Sequence, residues 1–182
     1  MKVITDDSHA LIARLAAGDR AALRELYDRH SAALAAFVSR YTSDRGEIEE
    51  IVQDTMLAAW HGAGRFAGRS SVRSWLFGIA RRRAADIHRR WRPETADAKL
   101  DTLSDHAPGP EAWALAQAGE DELLAAMERL SPIHREVLEL VFVHHFAFAE
   151  IAEMLDIPIG TVKSRLNHAR KALRAHVTSD AR

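Results

Sequence analysis

Leu23, Leu26, Tyr27, Leu34, Phe37, Val38 and Tyr41 recur at intervals of three and four, with His30 in the same stripe. That period predicts a long amphipathic helix over 20–42 with one buried face. Thr42, Ser43, Asp44 and Gly46 break the pattern with residues that favour turns and helix starts. Ile48, Ile51, Val52, Thr55, Ala59 and Trp60 predict a second helix ending near "HGAGRFAG". Val72, Trp75, Leu76, Ile79, Ala80 and Ile87 predict a third, with Ser70 or Ser71 placed to cap it. Three amphipathic helices of this kind can share one core.

The periodicity then lapses. Residues 93–118 hold Pro93, Pro108, Gly109 and Pro110 and read as a flexible linker. Leu123, Leu124, Met127 and Leu130 restart the pattern, and Ser131 with Pro132 supplies a cap and a first-turn proline for the next helix. Ile133, Val137, Leu140 and Val141 line that helix, which ends near "HHFAF". A short helix with Ile151, Ala152 and Leu155, a break at Asp156 to Pro158, and a longer helix with Val162, Leu166, Ala169, Leu173 and Val177 follow. This is helix-turn-helix spacing. No alternating strand pattern appears, so the expected fold is all-α: two small helical domains, 1–92 and 119–182, joined by the linker 93–118.

Charge sharpens this division. The formal net charge of the 182 residues is only -1, yet the charges are segregated. Arg65, Arg69, Arg73, Arg81, Arg82, Arg83, Arg89, Arg90 and Arg92 stand against Asp86 alone. From Pro93 to Glu128, Lys99 is the lone base among Glu94, Asp97, Asp101, Asp105, Glu111, Glu120, Asp121, Glu122 and Glu128. Lys163, Arg165, Arg170, Lys171 and Arg174 then face no acid between Lys163 and His176. Two basic faces can each hold a polyanion, and the acidic stretch between them can keep them apart or mask them.

Composition excludes other classes. A 47% hydrophobic and 28% charged chain is ordinary for a globular protein, and no apolar run approaches the roughly 18 residues of a membrane span. "MKVITDDSHALIARL" lacks the basic start and apolar core of a signal peptide, so a cytoplasmic location is expected. The absence of cysteine removes disulfide, thiolate-metal and thiol-redox chemistry from this chain. Among its 10 histidines no HExxH occurs, and adjacent His144 and His145 lie on different helix faces. Gly62, Gly64 and Gly68 follow a helix rather than a strand and form no nucleotide loop. No catalytic residue, metal or cofactor is expected.

The helix-turn-helix has a chemistry of its own. Its second helix enters the major groove, where side chains near the N-terminal half meet base edges and flanking cations hold phosphates. Off the apolar stripe of this helix lie Thr161, Lys163, Ser164, Arg165, Asn167, His168, Arg170 and Lys171, all able to hydrogen-bond nucleic acid. A merely solvated face would normally mix Glu with Lys; none of these residues is acidic.

Three stretches in order carry a family resemblance: "EEIVQDTMLAAW", "RFAGRSSVRSWLFGIARRRAADIHRR" and "LSPIHREVLELVFVHHFAFAEIAEMLDIPIGTVKSRLNHARKAL". Together they resemble the extracytoplasmic-function (ECF) sigma factors of the sigma-70 family of bacterial RNA polymerase. "GTVKSRL" alone is shared with other regulators; all three at this spacing are far more specific. The resemblance implies a sigma-2 domain that holds the -10 promoter element as melted strand and a sigma-4 domain that reads the -35 element as duplex.

By that match, the loop from Phe66 to Ser71 resembles the pocket for a flipped base, with Phe66 to stack and Ser70 and Ser71 to hydrogen-bond. Arg69, Arg73, Arg82, Asp86, Arg89 and Arg90 are the implied companions on duplex and backbone, with Arg82, Asp86 and Arg89 on one helix face. Asp86 is equally suited to tether Arg82 or Arg90 or to accept from a cytosine amino group; Trp75 is suited to core packing or base contact. Glu49, Glu50, Gln53, Asp54 and Met56 match the segment that docks on the clamp helices of the largest polymerase subunit, although a solvated acidic face would look the same. The flap of the second-largest subunit and a separate anti-sigma factor are further implied partners. The implied path of the acidic linker runs through the polymerase cleft toward the RNA exit channel.

Departures from the family pattern limit what it implies. Arg82 stands where many relatives carry asparagine, and Asn167 and His168 occupy positions that vary, so promoter sequence does not carry over. Asp156 replaces the usual turn glycine, and Ala147 replaces a common capping serine or threonine. The competing reading is a stand-alone helix-turn-helix regulator, which would need neither the arginine-rich loop nor the docking helix; a pure protein-interaction module would need neither basic face.

Overall fold

A computed structural model describes residues 8–91 and 120–180, with side chains described for 8–87 and 123–177. The expected linker 93–118 lies outside the described residues. Regular structure among the described residues is helical without a strand, and the chain divides into two compact units, Met1–Asp97 and Ala98–Arg182.

In the first unit, α1 spans Ser8–Ala16, α2 Arg20–Val38, α3 Arg45–Gly62 and α4 Val72–Trp91, with a single 3-10 turn at Ala63–Arg65. Their apolar faces meet around Leu15, Leu26, Leu34, Phe37, Ile51, Leu76 and Phe77, all buried. Phe37 and Phe77 sit at its centre with ring centroids 4.9 Å apart. Thr55 is fully buried too, and its hydroxyl donates to the Ile51 carbonyl at 2.7 Å.

α2 stops at Val38 rather than at 42. Tyr41 leaves the helix through a turn, its N–H donating to the Val38 carbonyl at 2.8 Å, and its ring meets Phe37 edge-on at 5.7 Å. The apolar period at Tyr41 thus reports packing by a turn residue. The break that follows is a helix cap: Asp44 Oδ1 accepts from Gly46 N at 2.7 Å and from Glu47 N at 3.1 Å. Tyr27, assigned to the stripe, is 42% exposed, while Ala22 and Leu26 take the buried line.

Asp19 caps α2, its Oδ1 accepting from Ala21 N at 2.8 Å, and Arg14 donates to its other oxygen at 2.8 Å. The Arg14 hydrogen bond first, and the backbone N–H of Ala21 next, hold the Asp19 carboxyl below its usual range. A carboxyl depressed in the folded state contributes stability above its unfolded pKa and loses it as pH falls through the folded one. Asp19→Asn, which keeps a capping oxygen, is therefore expected to flatten a small acid-side loss of stability seen in denaturation from neutral to strongly acidic pH.

In the second unit, α5 spans Glu120–Glu128, α6 Pro132–Phe142, α7 Phe148–Leu155 and α8 Ile159–Asp180. α8 packs on α5, α6 and α7 through Val162, Leu166, Ala169, Leu173 and Val177, all buried as the period predicts. Ser131 Oγ accepts from His134 N at 3.4 Å and Pro132 fills the first turn. Arg135 Nε donates to the Met127 carbonyl at 2.9 Å, and its Nη2 to the Glu128 carbonyl, closing the end of α5.

The turn of the helix-turn-helix survives its aspartate: Asp156 adopts φ 54, ψ 50, a left-handed conformation that Asp tolerates better than most residues. Ile157 N donates to the Ala152 carbonyl at 3.0 Å, closing α7. At the other end Ala147 has no side-chain oxygen to offer, and half of a capping box remains, with Ala147 N donating to Glu150 Oε2 at 3.0 Å. Ala147→Ser is expected to stabilise this unit by about 1 kcal/mol, measured by urea denaturation; no gain would mean that the first turn is already satisfied.

Candidate nucleic-acid and polymerase interfaces

In the first unit a cleft of about 400 Å³ opens between α3 and α4, lined by Ala58, Gly62, Arg65, Phe66, Trp75, Ile79, Arg82, Arg83 and Asp86. Its aromatic side is built by close approach. A Cβ on Gly62 would lie 3.3 Å from Trp75 Cζ2, so glycine lets the indole settle against α3. Trp75 meets Phe66 at 4.8 Å between centroids, and Phe66 also meets His9 of α1 at 5.5 Å. Trp75 is half-buried against its neighbours and also lines the cleft.

The loop after Phe66 turns at Gly68, whose φ of +67 suits glycine. Arg69 is exposed and Ser70 half-buried. Ser71 caps α4, its hydroxyl accepting from Ser74 N at 3.2 Å. Arg73 is partly turned inward, its guanidinium 5.3 Å from the centre of the Phe77 ring, a cation–π contact. Arg82 is exposed and Asp86 half-buried on the cleft wall; the side chains of Arg89 and Arg90 lie outside those described. His9 was not legible as a neighbour of this site, because α1 itself was not read. Arg65 was visible only within the charge tally.

On α3, Glu49, Glu50 and Gln53 are exposed and Asp54 is half-buried. Met56 is a correction. At 3% exposure it shares the buried line with Val52 and Ala59 rather than the outward face, as its spacing from them requires. It forms the floor of a groove of about 620 Å³ between α2 and α3, lined also by Arg20, Leu23, Arg24, Tyr27, Asp28, Gln53 and Leu57. Leu57, 53% exposed, is the apolar side chain that α3 presents at the rim.

In the second unit Lys163 and Lys171 are exposed, while Thr161, Ser164, Arg165, Asn167, His168 and Arg170 are half-buried along α8. Ser164 donates back to the Thr161 carbonyl at 3.2 Å. His168 meets His134 of α6 with ring centroids 6.2 Å apart. Burial foremost, then the charges of His168 and Arg165, pushes the His134 imidazole below the ordinary histidine range. His134 was missed from sequence because it sits outside the recognition helix.

Among the described residues no helix is long and apolar enough to cross a membrane. The sequence matches the family model for sigma-70 region 2 over residues 26–93 and that for sigma-70 region 4 over 120–173. It is 34% identical over 175 residues to the ECF RNA polymerase sigma factor SigL of Mycobacterium tuberculosis, a match covering 91% of this chain and 94% of that protein. Among solved structures it is similar to CnrH in complex with the cytosolic domain of CnrY, with a TM-score of 0.69 and 26% identity over 96% of this chain and 99% of that one. It is also similar to the sigma factor RpoE of Bartonella quintana, solved with the anti-sigma factor NepR, with a TM-score of 0.62 and 28% identity over 86% and 97% of the two chains. A first unit matching region 2 and a second matching region 4, in the order the motifs set, leave the stand-alone regulator without an explanation for half of the molecule: the chain belongs to the ECF sigma factors of the sigma-70 family.

Proposed function

We propose that this sigma factor divides promoter recognition between its two units, holding the -10 element as single strand at the α3–α4 cleft and reading the -35 element as duplex along α8. A sigma factor binds core RNA polymerase and directs it to promoters; the assignment of these residues to those steps is our reading. The observation that carries it is the cleft, which joins aromatic side chains to arginines. Unpairing a base costs a few kcal/mol. Stacking on an aromatic ring returns about 1–3 kcal/mol per base, and arginine heads offset the phosphate charge at the same place.

The functional boundaries follow as 1–92 for -10 recognition and polymerase docking, 93–118 for the linker and 119–182 for -35 recognition. Glu49, Glu50 and Gln53, beside the groove floored by Met56, form the docking face for the clamp helices, and the second unit meets the flap. The protein acts by binding rather than catalysis, in the cytoplasm. An anti-sigma factor covers its polymerase-binding surfaces, as supported by the similar RpoE, which was solved with one.

Permanganate footprinting of a promoter in the reconstituted holoenzyme tests the cleft. Arg82→Ala and Trp75→Ala are expected to reduce thymine reactivity in the -10 region while the holoenzyme still protects upstream duplex. Unchanged reactivity for both, in folded protein that binds core polymerase, would remove the cleft from strand capture.

A further inference from the structure

Phe66 follows the 3-10 turn and precedes α4, in a stretch where no helix fixes the direction of its side chain. Two residues on, Gly68 turns the chain with a φ of +67. Neighbouring elements must therefore set the ring. Trp75 of α4 meets it at 4.8 Å between centroids, with 40° between planes. From a different helix, His9 of α1 meets it at 5.5 Å and 43°. Both separations fall in the range of about 4.5–7 Å that aromatic pairs favour. The His9 ring also lies along the turn, since a Cβ on Gly68 would stand 3.6 Å from His9 Cε1. One imidazole thus rests against both the Phe66 ring and the Gly68 backbone.

The anchors of α1 lie elsewhere along the helix. Buried Leu11, Ile12 and Leu15 seat it on the core, and the Arg14 guanidinium donates to Asp19 at 2.8 Å and to Glu25 of α2 at 3.2 Å. It also packs on the 3-10 turn. His9 itself is exposed and does not line the cleft. Its effect on a bound base therefore has to pass through Phe66.

We propose that His9 is a positioning residue, which holds the Phe66 ring and the Gly68 turn in the orientation that receives an unpaired -10 base. The inference rests on the reading of the α3–α4 cleft as the strand-capture site. Its physical basis is preorganisation. A ring that becomes ordered only as the base arrives loses side-chain and backbone freedom at that moment. A ring already braced from α1 and α4 does not. α1, which contributes no side chain to the cleft lining, thereby sets how ready the cleft is.

The test uses the holoenzyme of the full-length chain with bacterial core polymerase. Its affinity is measured by fluorescence anisotropy for a labelled single strand carrying the non-template -10 element of a promoter that it opens. His9→Ala is expected to weaken binding by about two- to tenfold, the worth of one aromatic pair, and His9→Phe, which restores a ring, to recover it. Alanine favours the helix and the α1 anchors remain, so core-polymerase binding should be unchanged. In a Phe66→Ala background His9→Ala should cost nothing further, because the two residues act as one unit. Unchanged affinity for His9→Ala, with Phe66→Ala impaired, would overturn the proposal while leaving the cleft in place. So would an equal loss with and without the Phe66 ring, or a His9→Phe variant as weak as His9→Ala. Unchanged affinity for both His9→Ala and Phe66→Ala would instead remove the cleft reading, and this inference with it.

Discussion

Phe77→Ala is expected to unfold much of the first unit's stability, by about 3–5 kcal/mol. The ring is fully buried, lies 4.9 Å from Phe37 and carries the Arg73 guanidinium over its face at 5.3 Å. Removing it leaves a cavity where α2 and α4 meet and strips Arg73 of its aromatic support. Native domains hold about 5–15 kcal/mol in all, so amide exchange in α2 and α4 should accelerate strongly and urea denaturation should begin at lower concentration. A loss below about 1 kcal/mol would place Phe77 outside the set of residues that hold the helices together. Since the cleft lining comes from α3, α4 and the 3-10 turn, the same variant should also lose -10 melting, through lost order rather than a lost contact.

Lys163→Ala is expected to produce the next largest effect, this time on DNA. Lys163 is exposed on the first turns of α8, the part of a recognition helix that meets base edges. If it contacts a base, holoenzyme activity should fall by an amount equivalent to about 1–3 kcal/mol and the preferred -35 base should relax at one position. If it contacts phosphate, activity should fall alike on all -35 variants and the salt dependence should weaken by about one ion. Transcription measured across a panel of -35 substitutions separates the two. Unchanged activity on every member would remove Lys163 from the interface.

Most of this architecture was legible because its determinants are local. Ser131 and Pro132 mark the start of α6 by their own hydrogen-bonding chemistry, and the buried side of α8 follows from a period of three and four. The Asp156 turn was legible as well, because tolerance of a left-handed backbone belongs to the residue itself. α1 was missed although Leu11, Ile12 and Leu15 are all buried: a nine-residue helix is too short to stand without tertiary packing, and its sequence gives the period little length to repeat.

The site was less legible, because neighbours set it. Met56 looks adaptable in an acidic segment, and its place on the Val52 and Ala59 line is what sends it inward. Ser70 and Ser71 were both suited to cap α4 in sequence, and the fold uses Ser71. His134 and His168 are far apart in the chain, and the packing of α6 on α8 brings them together. A periodic pattern tells which side of a helix is buried; it does not tell which partner a polar residue meets there.

Run-off transcription with bacterial core polymerase on a genomic fragment library, with and without this protein, tests the central claim most directly when transcript starts are sequenced. The account predicts new starts that share a spaced pair of upstream elements. Absence of new starts with a folded protein that fails to bind core polymerase would contradict it.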